Sequence, residues 1–300
     1  MKRTSTATST FGTSGRVNHN AEVFYKSRMY EELQREEKPY KTASNPFPDY
    51  LRDRFIVGSA EHMTIIPDNA VHLAVTSPPY NVSKEYDKDL SLTEYLAMLK
   101  RVFQETYRVL VDGGRFCINV ANLGRKPYIP LSHHISRLMS EVGFHMRGEI
   151  IWDKGSSASP STAWGSWMSA SNPTFRDTHE YILVFSKGSY KRNRTKEEMV
   201  SKRNTISRED FMAWTKSVWH FNAVSAKRIG HPAPFPIALP YRFIQLLSFE
   251  GDIILDPFMG SGTTAIAALK SNRHYVGFDT SADYISLAEK RIAAFKEQEE

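Results

Sequence analysis

The chain is poor in sulfur chemistry: of its 300 residues, one is a cysteine, Cys117. A single cysteine can neither close an intramolecular disulfide nor build a cysteine metal site, which suits a reducing compartment. Cys117 does not read as a nucleophile either. The run Arg115-Phe116-Cys117-Ile118-Asn119-Val120 has the pattern of a buried strand, where a thiol is a small apolar group. The ten histidines show no metal-ligating spacing, and the adjacent His133 and His134 would point in different directions on a helix, so no metal is expected. No run is long and apolar enough to span a bilayer, and the first residues lack the apolar core of a secretion signal. A soluble, cytoplasmic protein with no membrane partner is expected. Internal repeats are also missing.

Positive charge is what the chain has in excess. Lys and Arg number 39 against 33 Asp and Glu, a formal net charge of +6 with a pI near 9.2, which favours an anionic partner. The excess is concentrated. Lys187, Lys191, Arg192, Arg194, Lys196, Lys202, Arg203 and Arg208 crowd one stretch, interleaved with Glu197 and Glu198. Such a stretch is either a solvated loop or a surface for phosphates.

Residues 1–16 are rich in Ser and Thr and are expected to form a flexible tail; 17–53 reads as a helical extension. From Arg54 onward, β-rich runs at 54–58, 71–76, 115–120, 149–153, 180–186, 252–256 and 274–279 alternate with amphipathic stretches. This alternation predicts an α/β, Rossmann-like fold: a seven-stranded, mainly parallel sheet with helices on both faces. The clearest helix starts at Ser91 with Glu94 completing a capping box. It aligns Leu96, Leu99, Val102 and Phe103 before Gly113-Gly114 ends it. The rhythm divides the chain into 54–154, an interrupted segment 155–215 and a closing half 216–300. Two irregular connections lie in the middle segment, on either side of a strand near 180–186. One, Gly155 to Asp177, contains Trp164-Gly165-Ser166-Trp167, and the other is the basic stretch. Long irregular connections in a compact domain are candidates for recognition. Trp164 and Trp167 are read as a small core under that surface rather than as base-stacking groups.

Two motifs carry chemistry. Thr76-Ser77-Pro78-Pro79-Tyr80-Asn81 follows the apolar run Val71 to Val75, and Pro78 and Pro79, without N–H donors, must end the strand. The carbonyls of Ser77 and Pro78 are then free to accept hydrogen bonds, and Tyr80 offers a ring for a planar base. Near the C-terminus, Ile253-Ile254-Leu255-Asp256-Pro257-Phe258-Met259-Gly260-Ser261-Gly262-Thr263 reads as strand, glycine turn and helix start, the layout of a nucleotide site. It lacks the Lys-Ser/Thr of a P-loop and the third glycine of a dinucleotide fingerprint. Asp279 ends the next strand, close to the roughly 20-residue offset expected for a carboxylate that accepts ribose hydroxyls.

Together these motifs resemble those of amino-group DNA methyltransferases. Their order, catalytic motif first and cofactor motif last, is similar to the circularly permuted β group, and the resemblance runs from about Arg54 to Arg291. His231-Pro232-Ala233-Pro234-Phe235-Pro236 is similar to the family's cofactor-side loop before the glycine motif. Ser77 at the head of the catalytic motif looks like the cytosine-N4 branch, where adenine-N6 enzymes typically carry Asp. The family often has an acid near the end of the first strand, and here Gly58-Ser59 stands, with Glu61 as a substitute.

The resemblance implies S-adenosyl-L-methionine as donor, S-adenosylhomocysteine as product, and double-stranded DNA as partner with its target base flipped out. The half 54–154 would then be catalytic, 155–215 target-recognising and 216–300 cofactor-binding. Ser77, Pro78, Pro79 and Tyr80 would carry catalysis. Asp256, Phe258, Gly260, Gly262, Thr263, Asp279, His231 and Ser59 would hold the cofactor, while Lys191, Arg192, Arg194, Lys202 and Arg203 would meet DNA phosphates. A separate cognate restriction endonuclease and a monomer or homodimer are compatible with it. An adenine-N6 enzyme, or a non-catalytic cofactor-sensing DNA-binding module, stays open.

Overall fold

In the computed structural model the described residues are 28–31, 44–80, 90–124, 126–155, 164–192, 194–224 and 235–299. The chain divides into a unit Met1–Tyr40, in which a helical turn Arg28–Glu31 is described, and a unit Lys41–Glu300. The expected 1–16 tail lies outside the described residues. Of the expected 17–53 extension, Phe47 and Leu51 are buried in the core of the second unit.

Eight strands form one sheet in the second unit: β1 Arg54–Val57, β2 Val71–Thr76, β3 Leu110–Val120, β4 His145–Asp153, β5 His179–Ser186, β6 Val218–His220, β7 Ile253–Asp256 and β8 His274–Asp279. Their spatial order is β1-β8-β7-β2-β3-β5-β4-β6. The neighbours pair in parallel except where β5 meets β3 and β4. β2 and β7, at the centre, are buried at every position, which is why they read as unbroken apolar runs.

Helices cover both faces. On one lie α1 Leu92–Val109 and α2 Leu131–Val142; on the other, α5 Ala238–Leu247, α6 Thr263–Lys270 and α7 Ala282–Glu299. Two short helices, α3 Lys196–Ser201 and α4 Arg208–Trp214, belong to the segment before β6. α1 begins as its sequence requires, with the Ser91–Glu94 capping box formed and Leu99, Val102 and Phe103 fully buried.

Two expectations are corrected. Among the described residues the sheet has eight strands rather than seven, because Val218-Trp219-His220 pairs in parallel with the end of β4 and buries Trp219; three residues are too few to show alternation in sequence. Gly113-Gly114 does not end α1. The helix stops at Val109 and the glycines lie inside β3, where Gly113 takes φ +71° and a Cβ would stand 2.6 Å from Arg192 Cα. The glycine is there to let the basic stretch lie on the strand.

The antiparallel run of β5 sorts the connections. Val120 pairs with Tyr181 and Asp153 with His179, so the carboxyl ends of β3 and β4 share an edge with the start of β5. The segment joining β4 to β5 therefore emerges beside the carboxyl ends of the parallel strands. The basic stretch, which follows Ser186, leaves from the opposite edge, beside Arg115 and His145.

Candidate active site

From β2 the chain runs on to β3 on one side, and from β7 to β8 on the other. Between β2 and β7 the strand order reverses, and ligands of open α/β sheets bind outside the carboxyl ends at such a point. Both motifs meet there. The Thr76 hydroxyl at the end of β2 donates to Asp256 Oδ1 at the end of β7 over 2.6 Å, and the Thr264 hydroxyl of α6 donates to Oδ2 over 2.6 Å. The Phe258 amide adds a third bond to Oδ1 at 3.1 Å. Asp256 is buried, and its burial pushes the carboxyl up to about 6 in spite of these donors. This residue is an internal pin between the two motifs, with each carboxylate oxygen already occupied.

Beyond the pin, Ser77 is half-buried, Pro78 buried, and Pro79 and Tyr80 half-buried. The Tyr80 ring packs against the hydrophobic core, and its hydroxyl bonds the Ser77 side chain and accepts the Ala121 N–H at 3.2 Å. Burial, with Glu180 nearby, pushes the phenol well above its ordinary range, so it stays neutral. The rigid Pro-Pro segment is thus anchored at Thr76 and at Tyr80.

The glycine turn after β7 is equally determined. Gly260 and Gly262 have φ of +47° and +76°, values that L side chains rarely adopt. Gly260 N–H donates to Asp279 Oδ2 at 3.0 Å and Ser281 N–H to Oδ1 at 2.9 Å. Each Asp279 oxygen keeps a further lone pair, and the residue is only half-buried. Burial raises its carboxyl above the usual range, against those two amide bonds. Phe258 is half-buried beside the turn, and Thr263 and Ser261 are tied to Arg291 Nη1, at 3.2 Å to Thr263 Oγ1 and 2.8 Å to Ser261 Oγ. At the same edge, Gly58 N–H donates to the Asp279 carbonyl at 2.8 Å, and a Cβ on Gly58 would meet nothing within 4 Å. Ser59 is exposed and donates to Glu61 Oε1 at 3.2 Å, while Arg101 binds the other Glu61 oxygen. His231 lies outside the described residues.

The basic stretch does not join this site. Arg192 and Lys202 turn inward onto Asp252, which is fully buried at the start of β7, the opposite edge of the sheet. Burial opposes charge on Asp252, but His72, Arg192 and Lys202 around it hold its carboxyl below the usual range. Arg194 stacks on Phe249 at 4.1 Å and donates to the Lys202 carbonyl at 2.9 Å. Lys187 points its ammonium at Asn69 Oδ1 and the Leu110 carbonyl, each at 2.7 Å. The reading of Arg192, Arg194 and Lys202 as phosphate contacts is corrected: a buried carboxylate requires a counter-charge, and these side chains supply it or pack beside it. Lys191 and Arg203 are exposed at that same far edge.

On the motif edge, the connection from β4 to β5 presents Trp167, Met168 and Phe175 at 65%, 90% and 91% exposure. Trp164 meets Trp167 edge to face at 4.9 Å and carries Arg176 over its ring at 3.9 Å. This exposed cluster replaces the expected small tryptophan core. Sequence reasoning passed over Thr76 and Thr264 as partners of Asp256, as well as Glu180 near Tyr80 and its partner Asn119. Their one signal was polarity at the end of an apolar strand or in the first turn of an apolar helix.

Comparison with known proteins agrees with this geometry. A family model described as DNA methylase, the N6/N4 methyltransferase model, matches residues 71–290. The type II methyltransferase M.MjaI of Methanocaldococcus jannaschii is 30% identical over 279 residues, covering 80% of this chain and 90% of the relative. M.ScaI of Streptomyces caespitosus is 31% identical over 252 residues, 79% of each. Among solved structures, a protein of Thermus thermophilus assigned as a DNA modification methylase, crystallised with S-adenosyl-L-methionine, superposes with a TM-score of 0.66 at 32% identity, covering 81% of this chain and 93% of its own. The PvuII DNA methyltransferase, cytosine-N4-specific, shares the fold with a TM-score of 0.62 at 19% identity, over 84% and 88% of the two chains. With its two motifs joined at the switch point of the sheet and the family model spanning most of its length, this chain belongs to the N6/N4 DNA methylase family.

Proposed function

We propose that this protein is a site-specific DNA methyltransferase of the circularly permuted β group that methylates the exocyclic N4 of cytosine in flipped-out duplex DNA. The observation that carries the reading is the Thr76–Asp256 bond, which locks the Ser77-Pro78-Pro79-Tyr80 segment against the glycine turn.

The turn fits S-adenosyl-L-methionine. Asp279 retains lone pairs for ribose hydroxyls, Gly260 and Gly262 supply the positive φ of the turn that aims them, Phe258 and Thr263 flank it, and open space lies beside Gly58. Asp256 serves by shaping the turn, and Ser59 and His231 complete the set named from sequence. The related Thermus protein was crystallised with this compound. When bound, the cofactor supplies an electrophilic sulfonium methyl. The chain's own residues prepare the acceptor amine, whose lone pair is delocalised into the base. Hydrogen bonds from its two N–H groups to the Ser77 side chain and Pro78 carbonyl localise that pair. Preorganised acceptors of this kind contribute on the order of several kcal/mol to a barrier. Tyr80, anchored at its hydroxyl, presents its ring to the base, a stacking contact worth about 1–3 kcal/mol.

Ser77 supports cytosine over adenine, and DNA approaches the edge that bears Trp167 and Phe175. Arg176 and Lys154 are cations of that edge. Pairing with a restriction endonuclease fits the type II names of the relatives. Mass spectrometry of nucleosides from DNA treated with the protein and S-adenosyl-L-methionine tests the reading. N4-methylcytosine is expected, and N6-methyladenine in its place would overturn the base assignment. Ser77→Ala is expected to lose methyl transfer while cofactor binding persists.

A further inference from the structure

Asn119, the last residue but one of β3, is 2% exposed. Its amide nitrogen donates to Glu180 Oε2 at 2.5 Å, whereas its Oδ1 is buried with no hydrogen-bond partner among the described residues. An ionised carboxylate only accepts, so Glu180 dictates the amide's orientation: the N–H arm faces β5 and the oxygen is turned away from it. Glu180 is fixed in turn by Lys154 Nζ, 2.5 Å from Oε1. Lys154 follows β4, Glu180 lies on β5 and Asn119 on β3, so adjacent strands contribute one polar chain. The register Thr76↔Ile118 places Ser77 next to Asn119 at the end of that chain. The Ser77 side chain is meanwhile bonded to Tyr80. A buried amide oxygen without a donor is uncommon in native proteins and calls for a partner.

We propose that Asn119 Oδ1, aimed by Glu180, accepts a hydrogen bond from the exocyclic amine of the target base. Asn119 is thereby a further base-contacting residue, and Glu180, with Lys154 as its counter-charge, is a positioning residue. The proposal rests on the methyltransferase reading and deepens it. Of the two amine N–H groups, the Pro78 carbonyl takes one and Asn119 Oδ1 shares the other with Ser77. Asn119 gains and loses no proton; it holds the amine while the nitrogen lone pair faces the methyl donor. A base without the amine leaves Oδ1 unpaired, so the site discriminates against it.

Fluorescence anisotropy tests this with S-adenosylhomocysteine present, on two duplexes of the methylated sequence. One carries the native target base and the other the same base without its amine, 2-pyrimidinone for cytosine or purine for adenine. The wild-type protein is expected to bind the native duplex more tightly, by about tenfold or more, since only its amine can bond Asn119 Oδ1, Ser77 and the Pro78 carbonyl. Asn119→Leu is expected to lower the ratio several-fold without abolishing it, because the Pro78 carbonyl and Ser77 still accept from the amine, with S-adenosylhomocysteine affinity unchanged. Glu180→Gln, whose amide can offer an N–H to Asn119 and so flip it, narrows the ratio, and Glu180→Asp recovers part of it. An unchanged ratio in Asn119→Leu overturns the proposal, as does a lost ratio accompanied by lost cofactor binding. Should Asn119→Leu fail to fold, Asn119→Ser on the same two duplexes decides by the same criteria. Absence of any methyl transfer to DNA by the wild-type protein overturns the parent reading, a result distinct from an active enzyme whose ratio ignores Asn119.

Discussion

Thr76 and Asp256 lie 180 positions apart and share a 2.6 Å hydrogen bond at the switch point of the sheet. Through this bond the segment that would hold the base and the turn that would hold the cofactor become one rigid unit. Thr76→Val removes the donor while keeping the shape, leaving a buried carboxylate short of one partner. A loss of about 1–3 kcal/mol in urea denaturation is expected. Unchanged stability would remove the pin from the account.

Asp256 also makes stability depend on pH. Its folded value is raised from 3.8 to about 6, so between those values the folded chain binds a proton that the unfolded chain releases. Its contribution is full below the unfolded value and is lost as pH rises through about 6, a change on the order of 3 kcal/mol. Asp256→Asn is expected to flatten this part of the profile. Denaturation at pH 4.5 and pH 7.5, compared between the two proteins, measures it; identical slopes would refute the assignment.

Gly262 and Gly58 offer a paired test of the turn. Alanine at Gly262 must adopt φ +76° and would set its Cβ 2.9 Å from that of Ala288 and 3.3 Å from the Phe55 ring. About 2–4 kcal/mol of destabilisation is expected from strain and overlap together. Alanine at Gly58 meets nothing within 4 Å, and thermal unfolding should leave its stability within about 0.5 kcal/mol of wild type.

Arg192→Met leaves Asp252 buried and under-compensated, a change expected to cost about 3–5 kcal/mol. DNA affinity, measured on the folded fraction, should hold. A DNA-binding defect without a stability defect would restore Arg192 to the phosphate surface.

Trp167→Ala and Phe175→Ala should each weaken DNA binding by about 1–3 kcal/mol, with cofactor affinity kept. Lys191→Ala and Arg203→Ala, at the far edge, serve as controls expected to bind as wild type does.

Much of this was legible in the sequence because local rules coincide with the global fold. The capping box at Ser91, the apolar runs of β2 and β7, and the stop at Pro78-Pro79 each act within a few residues. What escaped depends on pairing across long separations. The strand of Val218–His220 exists because β4 offers it an edge, and Gly113 of β3 accommodates a backbone 78 or 79 positions away. The basic stretch misled for the same reason. Its charges answer Asp252, which stands 60 residues from Arg192 and 50 from Lys202 in sequence.

The pairing of β4 with β5 from His145↔Ser186 to Asp153↔His179 makes these strands a hairpin whose tip is the aromatic connection. A hairpin zipped this far tolerates exchange of its tip, since both ends of the tip are fixed in register and neither carries the sheet's central pairings. On the proposed reading, in which this tip meets DNA, target choice can change by replacing the tip as a cassette beyond Lys154 and Glu180, with the central strands left in place.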